Sequence, residues 1–331
     1  MKKIFIVSGE DGFFAQNLMP WSSLNLKVIK GRLEDNGYDV SIITFRQLQK
    51  SIGLIKNAVI IYTSSQRDEH KRYIEDIVFY YNEHNILIPS FESLKAHDNK
   101  GFQMMLNSKY SLGLIDCNYF PSFSEVENTE QDFPCVYKPA NGASSMGVEI
   151  VKNVSEVKRL ASKEFSLNKE NIKKYIKKYI LRSRYNEEWE RYKSSYPNRF
   201  VLQKLLPGLD GDYKVLIFGD KFYVIKRFTK DGDFRASGSG IHSRNIEQDD
   251  LNLVLGKALD VKRKYKSHIY SLDICIYNGE AFLIEFQFTH VGPLTLIESD
   301  FYYIREGNGW KKVVEKSNLE HEFCNSVESY I

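Results

Sequence analysis

The dipeptide Asn278-Gly279 lies between two apolar-rich runs, Ser271-Leu-Asp-Ile-Cys-Ile-Tyr277 and Glu280-Ala-Phe-Leu-Ile-Glu-Phe-Gln287. Both residues tolerate the positive φ of a type I′ turn, and Asn-Gly in this setting is the strongest short-range hairpin signal. The sequence therefore predicts an antiparallel hairpin that brings Asp273 of one strand near Glu285 and Gln287 of the other. Glu285 and Gln287 are separated by a single residue, so on a strand they share a face. Two carboxylates and an amide oxygen on one surface suit Mg²⁺, which binds through one or two carboxylates while substrate phosphates complete its shell. An isolated Asp/Glu pair also fits a solvated acidic edge, and the rest of the chain has to decide between the two.

With 331 residues, 42% of them hydrophobic and 27% charged, the chain has the size for two or three lobes and the make-up of an ordinary globular protein. A formal net charge of +3 argues against a generally basic, nucleic-acid-coating chain. The four cysteines, Cys117, Cys135, Cys275 and Cys324, show neither C-x-x-C spacing nor a disulfide framework. The opening Met1-Lys-Lys-Ile-Phe-Ile-Val-Ser8 loses its apolar run after four residues, so it reads as a first strand and not as a signal peptide. No segment approaches the roughly 18 apolar residues of a membrane span, and the expected location is the cytoplasm.

Strands are expected at residues 4–8, 40–45, 58–62 and 86–88, with helices around 24–36 and 69–84. That βαβα order predicts a small parallel sheet with crossover helices. Gly9 and Gly12 follow the first strand, but there is no G-x-G-x-x-G, which leaves a dinucleotide site little support. A helix is expected from Asp98-Asn-Lys100 to Leu112, followed by short strands at 135–138 and 148–151. Residues 156–193 are charged and helical in pattern, with Lys173-Lys174, Lys177-Lys178 and Trp189. Interleaved Glu and Lys favour a solvated insertion there over a polyanion-binding surface. Beyond Arg199 strands are expected at 200–205, 214–218, 222–228, 269–277 and 281–288, interrupted by one helix near 249–265.

Three further stretches carry chemistry. In Val136-Tyr-Lys138-Pro-Ala-Asn-Gly142-Ala-Ser-Ser-Met-Gly147, the two glycines have Walker A spacing. Val148-Glu149 follow where that motif needs Lys and Ser/Thr, so this is a small-residue loop joining two strands. Its backbone N–H groups can approach an anion, with Lys138 reaching the same phosphates; an ordinary hairpin loop is the other reading. Gln203-Lys204-Leu205 and Asp212-Tyr-Lys214 lead into Lys226-Arg227 and then Asp233-Phe-Arg235, where strand cations beside a Gly/Ser loop suit the charge of a transferring phosphoryl group. His242, His290 and Ser144-Ser145 form no Ser-His-Asp arrangement, so no protein nucleophile is read.

Together, and in this order from Lys100 to Gln287, these stretches resemble the ATP-grasp superfamily. They are similar to glutathione synthetase, D-alanine–D-alanine ligase and the glutamate-adding ligases that modify a ribosomal protein. The resemblance implies an α/β and α+β chain, an ATP-grasp fold preceded by a small parallel-sheet α/β lobe. It divides the chain into that lobe at 1–90, a central lobe at 91–198 with a charged insertion at about 156–195, and a C-terminal lobe at 199–331. By resemblance Lys100 and Lys138 are the phosphate-binding lysines, beneath a loop that includes Ser144, Ser145, Met146 and Gly147. Gln203, Lys204 and Leu205 fall where the family meets adenine, Asp212 where it meets ribose, and Lys214 where it often has Arg. Arg235 matches the Arg of the family's Asp-Phe-Arg signature and joins Lys138 and Arg227 as a catalytic cation; Asp273, Glu285 and Gln287 match the metal triad. Glu285-Phe-Gln287 departs from the usual Glu-x-Asn, and Ser237 stands where Asn is usual after the Arg.

The activity implied is an ATP-dependent, ADP-forming carboxylate–amine ligation through an acyl phosphate, in surface-polysaccharide or related small-molecule biosynthesis. ATP and Mg²⁺ are the expected cofactors, with Mn²⁺ able to replace Mg²⁺. The partners are a small carboxylate and an amine, with no nucleic acid and no membrane, and the resemblance extends to a homodimer. Phosphoryl transfer to a hydroxyl on the same fold is the alternative, and a non-catalytic nucleotide-binding protein is a third.

Overall fold

The fold is described from a computed structural model, in residues 2–19, 21–65, 68–142, 146–163, 176–182, 186 and 199–331. The chain forms two compact units, one of residues 1–98, 105–114 and 208–331, the other of 99–104 and 115–207.

The first unit opens with strands β1 (Lys3–Ser8), β2 (Asp39–Thr44), β3 (Val59–Ile61) and β4 (Ile86–Ile88), all parallel in the order β2-β1-β3-β4. Between and after them run α1 (Leu26–Asp35), α2 (Phe45–Lys50), α3 (Asp68–Tyr81) and α4 (Phe91–Ala96). The expected parallel sheet is present, and its physical basis is two-sided burial. Ile4, Ile6 and Ile61 pack with Ile29 and Leu33 of α1, while Val7, Ile60 and Tyr62 pack with Leu48, Ile74 and Val78 of α2 and α3. Local chemistry starts the helices: Asn25 caps α1 by accepting from Lys27 and Val28, and Thr44 with Gln47 forms a capping box on α2. The second strand ends at Thr44, so Phe45 opens a helix where a last strand residue was expected.

Helix α5 (Lys100–Tyr110) leads into the second unit. There β5 (Cys117–Phe120), β6 (Cys135–Pro139), β7 (Glu149–Val151) and β8 (Phe200–Lys204) form an antiparallel sheet in the order β5-β8-β6-β7. One face buries Cys135, Tyr137, Phe200 and Leu202 against α6 (Val154–Lys163) and a 3-10 turn at Phe123–Asn128. Most of the charged stretch beyond Lys163, with Lys173, Lys174 and Trp189, lies outside the described residues.

The remainder of the first unit carries β9 (Gly211–Phe218), β10 (Lys221–Phe228), β11 (His242–Ser243), α7 (Gln248–Lys264), β12 (Ile269–Tyr277), β13 (Glu280–Gln287), α8 (Leu294–Ile297), β14 (Phe301–Glu306), β15 (Gly309–Val314) and α9 (Leu319–Tyr330). Its sheet runs β13-β12-β9-β10-β14-β15, with β11 on β10. One expectation fails here: α7 is not the single helix beyond Arg199. Leu319, Phe323 and Val327 recur on one side of α9, which Asn318 caps, and bury that side with Ile29 and Leu33 of α1. The β14–β15 hairpin, turned at Gly307-Asn308, was likewise not expected.

Candidate active site

Cross-strand register places most of the anticipated residues of the first unit on one face of one sheet. The hairpin turn is the expected pair, with Asn278 at φ 51° and Gly279 at φ 79°. Asp273 is directly opposite Glu285, and Ser271 directly opposite Gln287. This alignment depends on a feature that sequence reasoning missed. A regular ladder counted back from Tyr277–Glu280 would put Ile284 opposite Asp273 and turn Glu285 to the far side. The register instead shifts between Asp273 and Ile274, so that Ile284 is the extra residue of a β-bulge. With the bulge, Asp273, Glu285 and Gln287 share a face.

On its other side β12 pairs with β9, setting Asp273 opposite Lys214, and β9 pairs with β10, setting Asp212 opposite Arg227. Alternation places Asp212 and Lys214 on the same face as Asp273, while Tyr213 points to the reverse face, where its hydroxyl bonds Asp250 of α7. Further along the site face, Leu216, Phe218 and Ile269 join the apolar core with α9. The sheet is thus anchored by apolar contacts at one end and carries an ionic cluster at the other.

In that cluster Arg227 grips Asp212 through both carboxylate oxygens, at 2.6 and 2.8 Å. The same guanidinium reaches Asp273 Oδ2 at 3.0 Å, and Lys214 Nζ reaches Asp273 Oδ1 at 2.7 Å. Burial pushes the Asp273 carboxyl up, but Lys214 and Arg227 outweigh it and hold the group below the usual carboxylate range. Asp212 moves the other way: burial and then the Asp273 charge raise it, against the pull of Arg227. Desolvation works against the Arg227 charge, yet Asp273 and Asp212 together hold the guanidinium firmly protonated. The anticipated ribose residue Asp212 is therefore 7% exposed and engaged with a cation.

Arg235 lies in the turn after β10. Asp233 accepts from its backbone N–H at 2.9 Å, its Nε at 2.9 Å and its Nη2 at 2.8 Å, and Arg235 draws the Asp233 carboxyl down to about 2. The Asp of the Asp-Phe-Arg string is thus a clamp that orients the Arg.

In the second unit, Lys138 faces the same side of its sheet as Gln203, since Lys138 is opposite Val201 and Gln203 opposite Val136. Lys100 opens α5, donating its backbone N–H to Ala140 at 2.9 Å and its Nζ to the Gly142 carbonyl at 2.8 Å. Both ammonium-bearing residues are buried, at 9% for Lys100 and 8% for Lys138, which is rare for lysine. Gln203 is buried with its amide toward the Ile115 carbonyl at 3.5 Å, whereas Lys204 is exposed and Leu205 half-buried. Met146 and Gly147 are exposed; Ser144 and Ser145 lie outside the described residues. Burial pushes the neighbouring Cys117 thiol up to about 11 despite Lys138, which removes it as a nucleophile.

The donor set fits a hard cation. Asp273 and Glu285 supply carboxylates on one face, and Ser271, opposite Gln287, has a buried hydroxyl without a partner. Both Asp273 oxygens are engaged by cations, Oδ1 by Lys214 and Oδ2 by Arg227. Among the described residues, no group of three His, Cys, Asp or Glu is arranged as a metal centre.

No protein-family model and no curated protein sequence matches the chain. Solved structures do. VanG D-Ala:D-Ser ligase from Enterococcus faecalis matches with a TM-score of 0.56 at 13% identity, over 100% of this chain and 99% of that one. D-cycloserine synthetase DcsG matches at 0.53 and 10% identity, over 98% of each chain. An ADP complex of N5-carboxyaminoimidazole ribonucleotide synthetase matches at 0.52 and 11%, over 91% of this chain and 73% of that one. At these identities the likeness is one of fold, and the fold is ATP-grasp, mixed α/β with one parallel and two antiparallel sheets among the described residues.

Proposed function

We propose that this chain is an ATP-dependent, ADP-forming carboxylate–amine ligase that works through an acyl phosphate. The observation that carries the reading is the bulge-aligned row of Asp273, Glu285 and Gln287 beside Lys214 and Arg227, on an ATP-grasp fold. A substrate carboxylate oxygen attacks the γ-phosphorus of ATP while the bond to ADP breaks. An amine then attacks the acyl carbon, the bond to phosphate breaks, and the amine proton leaves.

In this reading Asp273, Glu285 and Gln287 hold Mg²⁺, with Mn²⁺ as a substitute; the bound ion supplies charge neutralisation on the β- and γ-phosphates. Lys100, Lys138 and Arg235 compensate phosphoryl charge, and the Asp233 clamp fixes where the Arg235 charge is presented. Gln203, Lys204 and Leu205 line the adenine position. Asp212 holds Arg227, and a contact with ribose requires its carboxylate to exchange that partner. Lys177 and Lys178, in the lysine-rich stretch, favour an anionic small-molecule carboxylate such as surface-polysaccharide pathways use. The reading includes work in the cytoplasm as a homodimer, without nucleic-acid or membrane partners. No described helix is long and apolar enough to cross a membrane.

The test is a hydroxylamine trap with Mg-ATP and a panel of amino acids, uronic acids and other carboxylates. ADP appearing with a matching hydroxamate supports the ligase and names the carboxylate. ADP with a stable phosphorylated product and no hydroxamate replaces it with phosphoryl transfer to a hydroxyl.

A further inference from the structure

Ser271 stands two residues before Asp273 on β12 and so faces the same side of the sheet. It is 1% exposed, and its Oγ is buried without a hydrogen-bond partner among the described residues. A buried hydroxyl left unpaired costs free energy, a cost that alanine at this place would not carry. The surroundings narrow what this group can bond. Directly opposite Ser271 on β9 is Leu216, apolar and fully buried, and directly opposite on β13 is Gln287. The Asp273 carboxylate is turned to other partners, Oδ1 to Lys214 and Oδ2 to Arg227. Opposed side chains on paired strands start about 4.5–5.5 Å apart at Cβ, a gap that a Gln side chain spans. Gln287 is therefore the neighbour suited to take up the Ser271 hydroxyl.

A carboxamide has two unlike ends. Its oxygen can ligate a hard cation, whereas its NH₂ offers two donors and nothing to a metal. A carboxylate has no such wrong end. A Gln ligand thus needs a neighbour that holds its NH₂, and more so than Asn would, because the extra methylene adds a rotatable bond whose freedom must be lost. A serine Oγ, with two acceptor lone pairs, meets that need.

We propose that Ser271 is the positioning residue of Gln287: its Oγ accepts from the Gln287 Nε2–H, which leaves Oε1 as the end that ligates the divalent ion. Partners of this kind orient metal ligands, and their loss typically costs about 10- to 100-fold in metal affinity. The inference rests on the reading of Asp273, Glu285 and Gln287 as the row that holds the ion, and it concerns binding of the ion, not the reaction.

The full chain is titrated with Mn²⁺ complexed one-to-one with the β,γ-imido analogue of ATP, which resists hydrolysis, and water-proton relaxation reports the ion held by the protein. Calorimetry with the same analogue in EDTA gives the metal-free affinity. Ser271→Ala should weaken binding of the Mn²⁺ complex about 10-fold and leave the metal-free affinity within about 2-fold. It should melt at or above the parent temperature, because it deletes an unpaired buried group. In a Gln287→Glu background, where no NH₂ has to be placed, the same Ser271→Ala change should alter Mn²⁺ affinity by less than about 2-fold. Parental Mn²⁺ affinity in Ser271→Ala would overturn the proposal. A loss that persists in full in the Gln287→Glu background would also overturn it, by making Ser271 a ligand or a packing element, and so would an equal loss of metal-free affinity. No substrate carboxylate and no turnover enter the measurement, so a chain that shows the expected Mn²⁺ pattern but forms no hydroxamate refutes the ligase and keeps the Ser271–Gln287 pair.

Discussion

Asp273 answers to two cations as well as to Glu285, and that arrangement separates two roles that a bare motif merges. Removing the Asp273 charge leaves Lys214 and Arg227 half-buried with one shared partner fewer, whereas Glu285 occupies the outer strand of the pair. We expect Asp273→Asn to lower unfolding free energy by about 3 kcal/mol, the scale of breaking a buried ion pair. Glu285→Gln should cost no more than about 1 kcal/mol. Both should depress ADP release with the cognate carboxylate on the order of 10²–10³-fold. Denaturant melts beside turnover assays separate the effects, and an Asp273→Asn enzyme of parental stability would refute the cluster as a structural unit. Asp233 makes the complementary case. It is half-buried and its carboxylate pairs with Arg235, so Asp233→Ala should leave the melting temperature nearly unchanged while turnover falls about 10-fold through misplaced charge. Equal turnover would show that Arg235 needs no clamp.

At the scale of elements, the turn of the β12–β13 hairpin was legible because its chemistry is local: Asn278 and Gly279 occupy left-handed backbone that few other residues accept. The bulge at Ile284 was not, because nothing in the residue types of β13 distinguishes a shifted ladder from a regular one. The order β13-β12-β9-β10 was equally hidden, and with it the pairing of Lys214 to Asp273 and of Arg227 to Asp212. Residue identities at the site could be read; their partners depend on strands distant in sequence. The β14–β15 hairpin and α9 did carry local signals, Gly307-Asn308 and the spacing of Leu319, Phe323 and Val327. The β9–β10 contact yields a sharp test. A Cβ on Gly211 would lie 2.0 Å from the Arg227 carbonyl oxygen, so alanine there must part the strands beside the Asp212–Arg227 pair. Gly211→Ala should destabilise by about 1–3 kcal/mol and weaken turnover. Gly256→Ala, exposed within α7 with nothing inside 4 Å, should instead stabilise by about 0.5–1 kcal/mol. Thermal melts of the two variants moving in the same direction would contradict the packing described.

For the molecule as a whole, three histidines, His268 and His290 buried and His97 half-buried, set how stability follows pH. Burial is the largest cause for each: His97 is held at about 3, with His290 adding to the effect, His268 at about 3, and His290 at about 4. Against an ordinary value near 6.5, each ring accepts a proton more readily in the unfolded chain than in the folded one. Stability from this source is fully present above pH 6.5 and drains as pH falls toward the folded values. Three such groups together should remove on the order of 4 kcal/mol between pH 7 and 5.5. Urea melts across that interval measure the loss, and His268→Gln should cut the slope by about a third whatever it does to stability at pH 7. A flat profile would mean that these rings gain protons as readily in the folded chain as in the unfolded one.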